Sequence, residues 1–313
     1  MKENISNNIS GNDLGFGNKP TVNNQRTLNH DGSSNVKRIG LPFIRTSDTY
    51  NALITMHWAK FSLLILICYI AINSLFAAIY YGVGVEYFNG ITGTTPFTKF
   101  LDTFFFSAQT ISTVGYGHIS PKGTLTSFIA AFESMLGLLA FALATGLLYG
   151  RFSRPMAKLV YSQNMLVSPY GDGQGLMLRI ANKRSNQLIE IEAEILLTIN
   201  AKEADGSRSR KFFNLPLERK KINLLTLSWT IVHPINETSP LYQFDQQELE
   251  DADAEFMVLI KAFDDTFSQT VHSRTSYKYD EVVWSARFKP AFYPDETGVT
   301  TLDISKVNEY EDV

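Results

Sequence analysis

One short run of residues has the types and spacing to bind an ion through its main chain. Thr113-Val114-Gly115-Tyr116-Gly117 sets two glycines around an aromatic residue, and Pro121 follows shortly after. This composition suits neither a helix nor a buried strand, whereas glycine permits backbone geometries in which successive carbonyl groups point the same way. A row of parallel carbonyl oxygens would offer ligands to a cation. The same five residues could also form an ordinary loop, and the flanking segments are needed to distinguish the two possibilities.

Two apolar segments lie on either side of this run, at residues 58–82 and 125–150. At about 1.5 Å per residue, some 25 helical residues extend roughly 37 Å, which is enough to cross a hydrocarbon core of about 30 Å. Trp58 begins the first segment, and Tyr80 and Tyr81 lie near its end, where interfacial aromatic residues are typical. Both segments are therefore predicted to be transmembrane helices.

Between the two spans, residues 98–112 are apolar and aromatic but too short to cross a bilayer. Their length fits a re-entrant helix, which is tolerated at membrane depth only where protein or a water-filled cavity surrounds it. This predicted helix ends directly before residues 113–117. The position favours an ion-binding loop over a chance pentapeptide, and residues 58–155 are predicted to form one membrane domain.

Cationic side chains are frequent near the outer ends of the two spans and sparse between them. Those near the outer ends are Lys37, Arg38, Arg45, Lys60, Arg151, Arg154 and Lys158, and those between are Lys99 and Lys122. Since cytoplasmic segments carry an excess of Lys and Arg, both termini are predicted to lie in the cytoplasm.

The whole chain of 313 residues is 44% hydrophobic and 19% charged, with a formal net charge of −3. This balance excludes a disordered chain and gives no support to a nucleic-acid partner, which would favour a strong basic excess. The single cysteine, Cys68, excludes an intrachain disulfide framework and a Cys-cluster metal site. The apolar spans lie in the first half and most acidic residues lie after position 185, which indicates an α+β membrane protein with a soluble half.

The N-terminal residues fall into two parts. Residues 1–40 are rich in Asn, Gly and Ser and are predicted to be a mostly disordered tail. Within residues 41–57, apolar positions recur with helical spacing at Tyr50, Leu53, Ile54 and His57. They predict a short amphipathic helix over residues 47–57, which would lie in the membrane interface or form the first turns of the span.

Residues 156–313 have the pattern of short β-strands. The clearest alternation covers residues 188–199, with one face of Ile189, Ile191, Ala193 and Ile195 and another of Glu190, Glu192 and Glu194. Further strands are predicted at residues 176–180, 222–232, 256–262 and 282–288, separated by Gly, Pro and charged turns. An all-β sandwich is the expected result.

These stretches together resemble the prokaryotic, KirBac-type members of the inward-rectifier potassium channel family. The likeness includes the TVGYG filter, GLLYGRFSRP at residues 146–155, LSWTIVHPINETSPLY at residues 227–242 and FSQTVHSRTSYKYDEVVWSARF at residues 267–288. It extends from near residue 40 to the end of the sequence. It implies a cytoplasmic immunoglobulin-like β-sandwich and a homotetramer with one pore on its four-fold axis, since one two-span subunit cannot enclose a ring of carbonyls.

The function implied by the resemblance is passive, potassium-selective conduction across the cell inner (plasma) membrane. K⁺ would be the permeant ion, and neither a cofactor nor an enzymatic activity is expected. The potassium sites would be formed by Thr113, Val114, Gly115, Tyr116 and Gly117. Gln109 takes the position where many relatives have a filter-supporting glutamate, and would act through hydrogen bonds of its amide. Glu133, inside the second span, is interpreted as a buried support behind the filter, with ion contact as the alternative.

The resemblance also gives roles to the second span. Tyr149 would close a hydrophobic gate where four inner helices converge, although it could instead belong to the interfacial aromatic belt. Gly137 and Gly146 would let the helix bend, or would serve close helix packing.

Rectification is expected to be weak. Strongly rectifying relatives carry an acid at the position of Phe141, which cannot attract Mg²⁺ or a polyamine. Block by these cations would then depend on Glu190 and Glu281, which match pore-facing acids of relatives or lie on a solvated sheet face. The resemblance further groups the chain with voltage-gated channels.

Four cations near the span ends, Lys60, Arg151, Arg154 and Lys158, are candidates for contact with anionic membrane lipids. The basic pattern of phosphoinositide-activated relatives is not matched, so activation by phosphoinositides is not supported. Two other classes stay open. A two-span receptor with a ligand-binding sandwich would explain the spans but not the filter loop. An enzyme is the third class, although no Ser/His/Asp, metal or paired-carboxylate cluster stands out.

Overall fold

The computed structural model describes residues 26–37, 39–40, 46–153, 157–202 and 208–313. The chain divides into two compact units, a helical unit of Gly40–Arg154 and a β unit of Met1–Ile39 and Pro155–Val313. The boundary after residue 154 lies next to the predicted end of the membrane domain. Of the N-terminal residues, those from 26 to 37 that the structure describes group with the β unit.

The helical unit contains the helices α1 (Thr46–Thr55), α2 (Trp58–Val83), α3 (Pro96–Ile111) and α4 (Thr124–Phe152). The short strands β1 (Phe88–Asn89) and β2 (Ser120–Pro121) pair antiparallel and join the segments on either side of α3. α2 and α4 are long and apolar enough to cross a membrane. Their bounds, and those of α3, lie close to the predicted ones.

Local sequence explains where these helices begin. The His57 ring accepts a hydrogen bond at Nδ1 from the Ala59 N–H at 3.3 Å and caps α2, so α1 is a separate helix and not the first turns of the span. Thr95 and Thr98 form a capping box at the start of α3. Pro96 occupies the first turn, where a backbone N–H has no partner within the helix.

Within the described residues, the β unit contains one short α-helix, α5 (Gln246–Asp251), two 3₁₀ helices at Tyr279–Glu281 and Ile304–Asn308, and fourteen strands. These strands are β3 (Leu159–Tyr161), β4 (Met165–Tyr170), β5 (Gly173–Asn182), β6 (Leu188–Lys202), β7 (Arg208–Leu215), β8 (Lys221–Leu224), β9 (Ser228–Ile235), β10 (Glu255–Asp264), β11 (Gln269–Lys278), β12 (Val282–Trp284), β13 (Ala286–Phe288), β14 (Phe292–Pro294), β15 (Thr300–Leu302) and β16 (Tyr310–Asp312).

Two main sheets share one hydrophobic core. The first has the order β11-β10-β6-β7 with β8 paired to β6, and the second has the order β12-β4-β5-β3 with β9 paired to β5. Fully buried side chains from both sheets meet between them, among them Leu178, Ile180, Ile195, Leu197 and Phe256. The C-terminal half is therefore β-rich, with two packed sheets. Its immunoglobulin-like assignment stays a prediction.

The structure divides two predicted strands. Residues 222–232 separate into β8 and β9. Residues 282–288 separate into β12 and β13 at Ser285, whose φ of 53° interrupts the extended backbone. Serine rarely adopts this conformation, so its residue type alone does not indicate the break.

The predicted alternation in β6 is wrong at its first residues. Glu190 has a φ of 49°, and the pairing of β6 with β10 shifts register nearby, as in a β-bulge. Leu188, and not Ile189, therefore joins the core together with Ile191. An inserted residue inverts the two faces of a strand, and a period-two pattern cannot reveal the insertion.

The N-terminal segment also differs from the predicted disordered tail. Leu28 is buried against Leu196, Phe212 and Met257, on the face of the first sheet that points away from the core. Composition could not reveal this packing, because the partner of the segment's main chain, Glu255, lies 228 positions from Thr27. The first 25 residues of the predicted tail lie outside the described residues.

A buried hydrogen bond between His233 and Ser239 resembles part of a catalytic triad. His233 Nε2 lies 2.7 Å from the Ser239 hydroxyl, but its Nδ1 faces the Pro216 carbonyl and not a carboxylate. Both side chains are buried, and burial lowers the pKa of His233 below its ordinary value. The contact therefore holds the turn after β9 and offers no nucleophile to solvent.

Candidate functional site

The run predicted to bind ions forms the loop between α3 and β2. Thr113, Gly115 and Gly117 have φ values of 59°, 54° and 79°, in the left-handed region, and Val114 and Tyr116 between them do not. Alternating backbone handedness gathers successive N–H groups on one side of the chain. Because the C=O of each trans peptide points opposite to its N–H, the carbonyl oxygens gather on the other side. The loop thus has a backbone that can present a row of carbonyl oxygens.

The first three N–H groups of this loop turn back to the end of α3. Those of Val114 and Gly115 both donate to the Gln109 carbonyl, at 3.0 and 3.2 Å, and that of Thr113 donates to the Thr110 carbonyl at 3.1 Å. Gln109 therefore supports the loop through its main chain, whereas the sequence predicted support from its side-chain amide. A main-chain contact of this kind depends on where α3 ends. The residue type at position 109 does not determine that end.

The end of α3 also sets the electrostatics of the loop. The helix stops at Ile111, just before residues 113–117, so the negative end of its dipole lies beside them. A helix C-terminus stabilises a cation within about one turn. The residues that the sequence selected for ion binding therefore lie where positive charge is favoured. Among the described residues, no cluster of three or more His, Cys, Asp or Glu could hold a metal ion.

Glu133 of α4 is fully buried and joins three helices. Its carboxylate contacts the hydroxyls of Tyr80 in α2 and Ser107 in α3. Ser107 Oγ also lies 3.0 Å from Asn73 Oδ1 in α2. An ionisable group in a membrane span is costly unless it finds such partners. Glu133 therefore lies where a buried support of α3 should be, although its effect on the filter stays a prediction.

Sequence reasoning selected Glu133 but missed its partners. The polar side chain of Asn73 in an otherwise apolar span was a usable signal. Tyr80 was assigned to the interfacial aromatic belt, but it is fully buried. Its ring centroid lies 5.3 Å from those of both Phe88 and Phe106, in edge-to-face geometry. The aromatic cluster and the polar network together hold α2 against α3.

Gly137 and Gly146 of α4 have different surroundings. A Cβ on Gly137 would lie 2.3 Å from the Ile111 carbonyl oxygen at the end of α3, while one on Gly146 would meet nothing within 4 Å. α4 is one helix across both positions. Gly137 therefore packs closely against the base of the loop, one of the two roles that the sequence left open, and its role as a hinge stays a prediction. A hinge at Gly146 stays a prediction.

Arg151 makes contacts that lipid binding would not require. Its guanidinium donates to the carbonyls of Leu53 and Met56, at 2.5 and 2.6 Å. It also lies 4.4 Å from the ring centroid of Trp58 and 4.3 Å from that of Phe61, within the range of cation–π attraction. Arg151 thus ties the end of α4 to α1 and the start of α2, and its predicted contact with lipid stays a prediction.

The remaining candidates near the outer ends of the spans are exposed. Tyr149 is 74% exposed in the single chain, and Phe141 faces away from the helical unit in the same manner. The side chains of Lys60 and Lys158 are exposed and accessible to a ligand. Arg154 lies outside the described residues.

The two acids predicted to face the pore differ. Glu190 lies at the bulge of β6, largely exposed, with Lys221 Nζ at 3.5 Å from its carboxylate. Glu281 forms an ion pair with Arg26, and it accepts a hydrogen bond from the Lys278 N–H at 2.9 Å. Glu281 is therefore paired with a local cation, as Glu190 is with Lys221, and the pore-facing role of both acids stays a prediction. The partner of Glu281 comes from the predicted tail, so the sequence could not indicate the pair.

Two family profiles match the chain. One, described as the inward rectifier potassium channel C-terminal domain, covers residues 159–313, and another, described as ion channel, covers residues 54–154. The chain is also 37% identical over 294 residues to the inward rectifier potassium channel Kirbac3.1 of Paramagnetospirillum magnetotacticum, spanning 94% of this chain and 98% of that one. The chain belongs to the inward-rectifier potassium channel family. The resemblance seen in the sequence is confirmed.

Vertebrate members of this family are more distant. The G protein-activated inward rectifier potassium channel 1 of Bos taurus and that of Homo sapiens are each 26% identical over 315 residues. The alignments cover 92% of this chain and 61% of each relative, so this chain spans about three fifths of their length. The comparison with solved structures gives a Pseudomonas fluorescens alkylpurine DNA glycosylase bound to DNA, at 10% identity and a TM-score of 0.18, with 61% of this chain and 48% of that chain covered.

Family membership decides between the classes that the sequence left open. The matched families are ion channels, which confirms the prediction that the chain is not an enzyme. The ion channel profile includes the filter loop, which a receptor would leave unexplained. Together with α2 and α4, membership indicates a plasma membrane protein. The descriptions of the relatives name inward rectification, so the grouping with voltage-gated channels is not supported.

Gly137→Ala should destabilise the protein by about 1–3 kcal/mol, the usual cost of overpacking. The new Cβ cannot be placed without moving Ile111 at the base of the loop. Gly146→Ala is the matched control on the same helix, and it should be neutral or slightly stabilising, because alanine favours helix and nothing obstructs it. Thermal unfolding in detergent measures both variants. Equal midpoints for the two would contradict the packing role of Gly137.

Proposed function

We propose that this chain is the subunit of a potassium-selective channel of the inward-rectifier type, with residues 113–117 as its selectivity filter. The observation that carries the proposal is the alternating φ of the loop, whose N–H groups bond to α3. Carbonyl oxygens of Thr113, Val114, Gly115 and Tyr116, with the Thr113 hydroxyl, would replace the hydration shell of K⁺. Conduction would be passive, and no cofactor takes part in it.

A single chain supplies only one side of such a filter. Val114 and Tyr116 are 53% and 80% exposed in the single chain, although both are large side chains next to the ion-binding groups. Neighbouring subunits would cover them and close the ring of carbonyls. We therefore propose a homotetramer, in agreement with the membership of the chain in a potassium channel family.

The distribution of Lys and Arg supports an orientation with both termini in the cytoplasm. In this orientation Lys60 and Lys158 would lie near the cytoplasmic surface, where anionic lipids attract cations. Among the described members of the predicted lipid-binding set, these two residues are exposed. Arg151 is not counted among them, because its guanidinium is already bonded to the α1 carbonyls.

Gly115→Ala should abolish potassium-selective flux, because a φ of 54° disfavours any residue with a Cβ. The matched control is Gly171→Ala, in the turn between β4 and β5. Its φ is 55° and it has equally open surroundings, so selectivity should be unchanged. Rubidium uptake into liposomes, with barium as blocker and sodium as competitor, measures both. Wild-type selectivity in Gly115→Ala, or wild-type protein without barium-sensitive uptake, would refute the proposed function.

We further propose weak rectification. Phe141 carries no charge, so the inner helix has no acid at this position to concentrate Mg²⁺ or a polyamine. Of the two cytoplasmic candidates, Glu281 is paired with Arg26. Glu190 is the more exposed of the two, and block would depend mainly on it.

Phe141→Asp should strengthen voltage-dependent block by spermine, lowering the half-blocking concentration by about tenfold, which corresponds to about 1.4 kcal/mol. Phe141→Asn, similar in size but neutral, should not, because the added attraction is electrostatic. Currents across planar bilayers with spermine on the cytoplasmic side compare the two. Steep block of the wild type that persists in Glu190→Gln would contradict the assignment.

The same channel is proposed to close at Tyr149, where a ring of aromatic side chains would exclude water. Tyr149→Ala should then raise potassium flux several-fold. Leu143→Ala is the control, because Leu143 is 70% exposed, close to the 74% of Tyr149, and lies about 120° away around α4. Rubidium uptake at matched protein incorporation measures both. Unchanged flux in Tyr149→Ala would place this residue in the interfacial aromatic belt instead.

A further inference from the structure

His118 directly follows the filter loop, and its side chain is exposed. Within the described part of the chain, its imidazole ring makes no hydrogen bond, ion pair or ring contact. Neutral imidazole is the commonest metal ligand among protein side chains. His118 therefore offers a metal-binding group at one end of the proposed filter, which we call the outer mouth.

The main chain of His118 is fixed although its side chain is free. Ile119, the next residue, is buried in the aromatic cluster that holds α2 against α3. Gly90 packs so closely that a Cβ there would lie 1.8 Å from the His118 carbonyl oxygen. The pairing of β2 with β1 follows directly. The attachment point of the imidazole is therefore set by the same elements that hold the filter loop.

The other histidines show how an imidazole is used elsewhere in the chain. His30 and His233 have hydrogen-bond contacts at ring nitrogens, and His57 caps α2. His272 of β11 is exposed and, like His118, has no ring partner among the residues that the structure describes. His272 is thus a matched comparison for His118, with the same side chain and similar access to solvent but no place beside the filter.

The symmetry of the proposed homotetramer decides which metal four copies of His118 would suit. Four atoms related by a four-fold rotation lie in one plane, at the corners of a square. A tetrahedral set of ligands, which Zn²⁺ prefers in proteins, is incompatible with this symmetry. Square-planar or tetragonal nitrogen ligands are typical of Cu²⁺ and Ni²⁺. A ring of four imidazoles on the axis therefore favours these two ions over Zn²⁺.

We propose that four His118 side chains, one from each subunit, bind a divalent transition metal at the outer mouth, Cu²⁺ more tightly than Ni²⁺, and that the bound ion blocks entry of K⁺. This inference rests on the proposed channel function and homotetramer. A single chain does not supply the site, since its described residues contain no cluster of three or more His, Cys, Asp or Glu that could hold a metal. A divalent cation on the path of K⁺ repels it at a range too short for salt to screen.

Copper binding tests the site on the full chain without any measurement of flux. All variants carry Cys68→Ser, because a thiol also binds copper. Titration of the detergent-solubilised protein should find one Cu²⁺ per four chains that is lost in His118→Gln. The electron paramagnetic resonance spectrum of this copper should be tetragonal, with splitting from four nitrogen ligands. His272→Gln should keep both the stoichiometry and the spectrum of this site.

Currents across planar bilayers test the block. Cu²⁺ on the side opposite to spermine block should reduce the barium-sensitive potassium current. His118→Gln should raise the half-blocking concentration by at least about tenfold, the lower end of what lost support of a bound metal costs. His272→Gln should match the parent. Ni²⁺ should block at lower concentration than Zn²⁺, and because the general affinity order places both below Cu²⁺, this comparison reports the geometry of the site.

The possible failures are distinct. If His118-dependent copper binds as one ion per chain, the shared ring is overturned. If Zn²⁺ blocks at lower concentration than Ni²⁺, the square arrangement is overturned. If the protein conducts with barium sensitivity but His118→Gln leaves copper block unchanged, the blocking site is overturned while the channel function stands. If the protein does not conduct, the proposed function fails, and the copper titration by itself decides whether His118 forms the site.

Discussion

Every peptide group carries a donor and an acceptor that point in opposite directions, so a loop can turn a row of carbonyls towards an ion only if its N–H groups are satisfied elsewhere. In this chain the carbonyls of Gln109 and Thr110 accept them. α3 must therefore end where its last carbonyls can accept hydrogen bonds from the loop. The neighbouring helices α2 and α4 must hold α3 in that position. Much of the helical unit can be understood from this one requirement.

Two kinds of contact hold α3 in place, and they act differently. The Glu133 carboxylate bonds to hydroxyls of α2 and α3, and such directional bonds restrict how the helices rotate about their axes. The contact of Gly137 with the Ile111 carbonyl sets how closely α4 approaches. Polar and small residues thus hold these helices together, because the hydrophobic effect gives no driving force for helix association within lipid.

Several charged residues that suggest external ligands are used inside the chain. Arg151 binds the carbonyls at the end of α1, Arg26 pairs with Glu281, and the Glu255–Arg210 pair binds the amides of the N-terminal segment. Each of these contacts joins elements that are distant in sequence. Charge therefore connects helix ends within the helical unit, and it connects the N-terminal residues to the sheets within the β unit.

The sequence by itself determined the two apolar helices, the short helix between them and the loop at residues 113–117, since length, hydropathy and turn residues are local properties. It also identified Glu133, because a carboxylate within an apolar segment can be recognised from the sequence without knowing its neighbours in space. Only the tertiary structure decided that Gly137 packs closely, that β6 bulges at Glu190, and that Arg151 is enclosed. The room for a Cβ, the register of a strand and the partner of a charge all depend on neighbouring elements, which come from other parts of the chain.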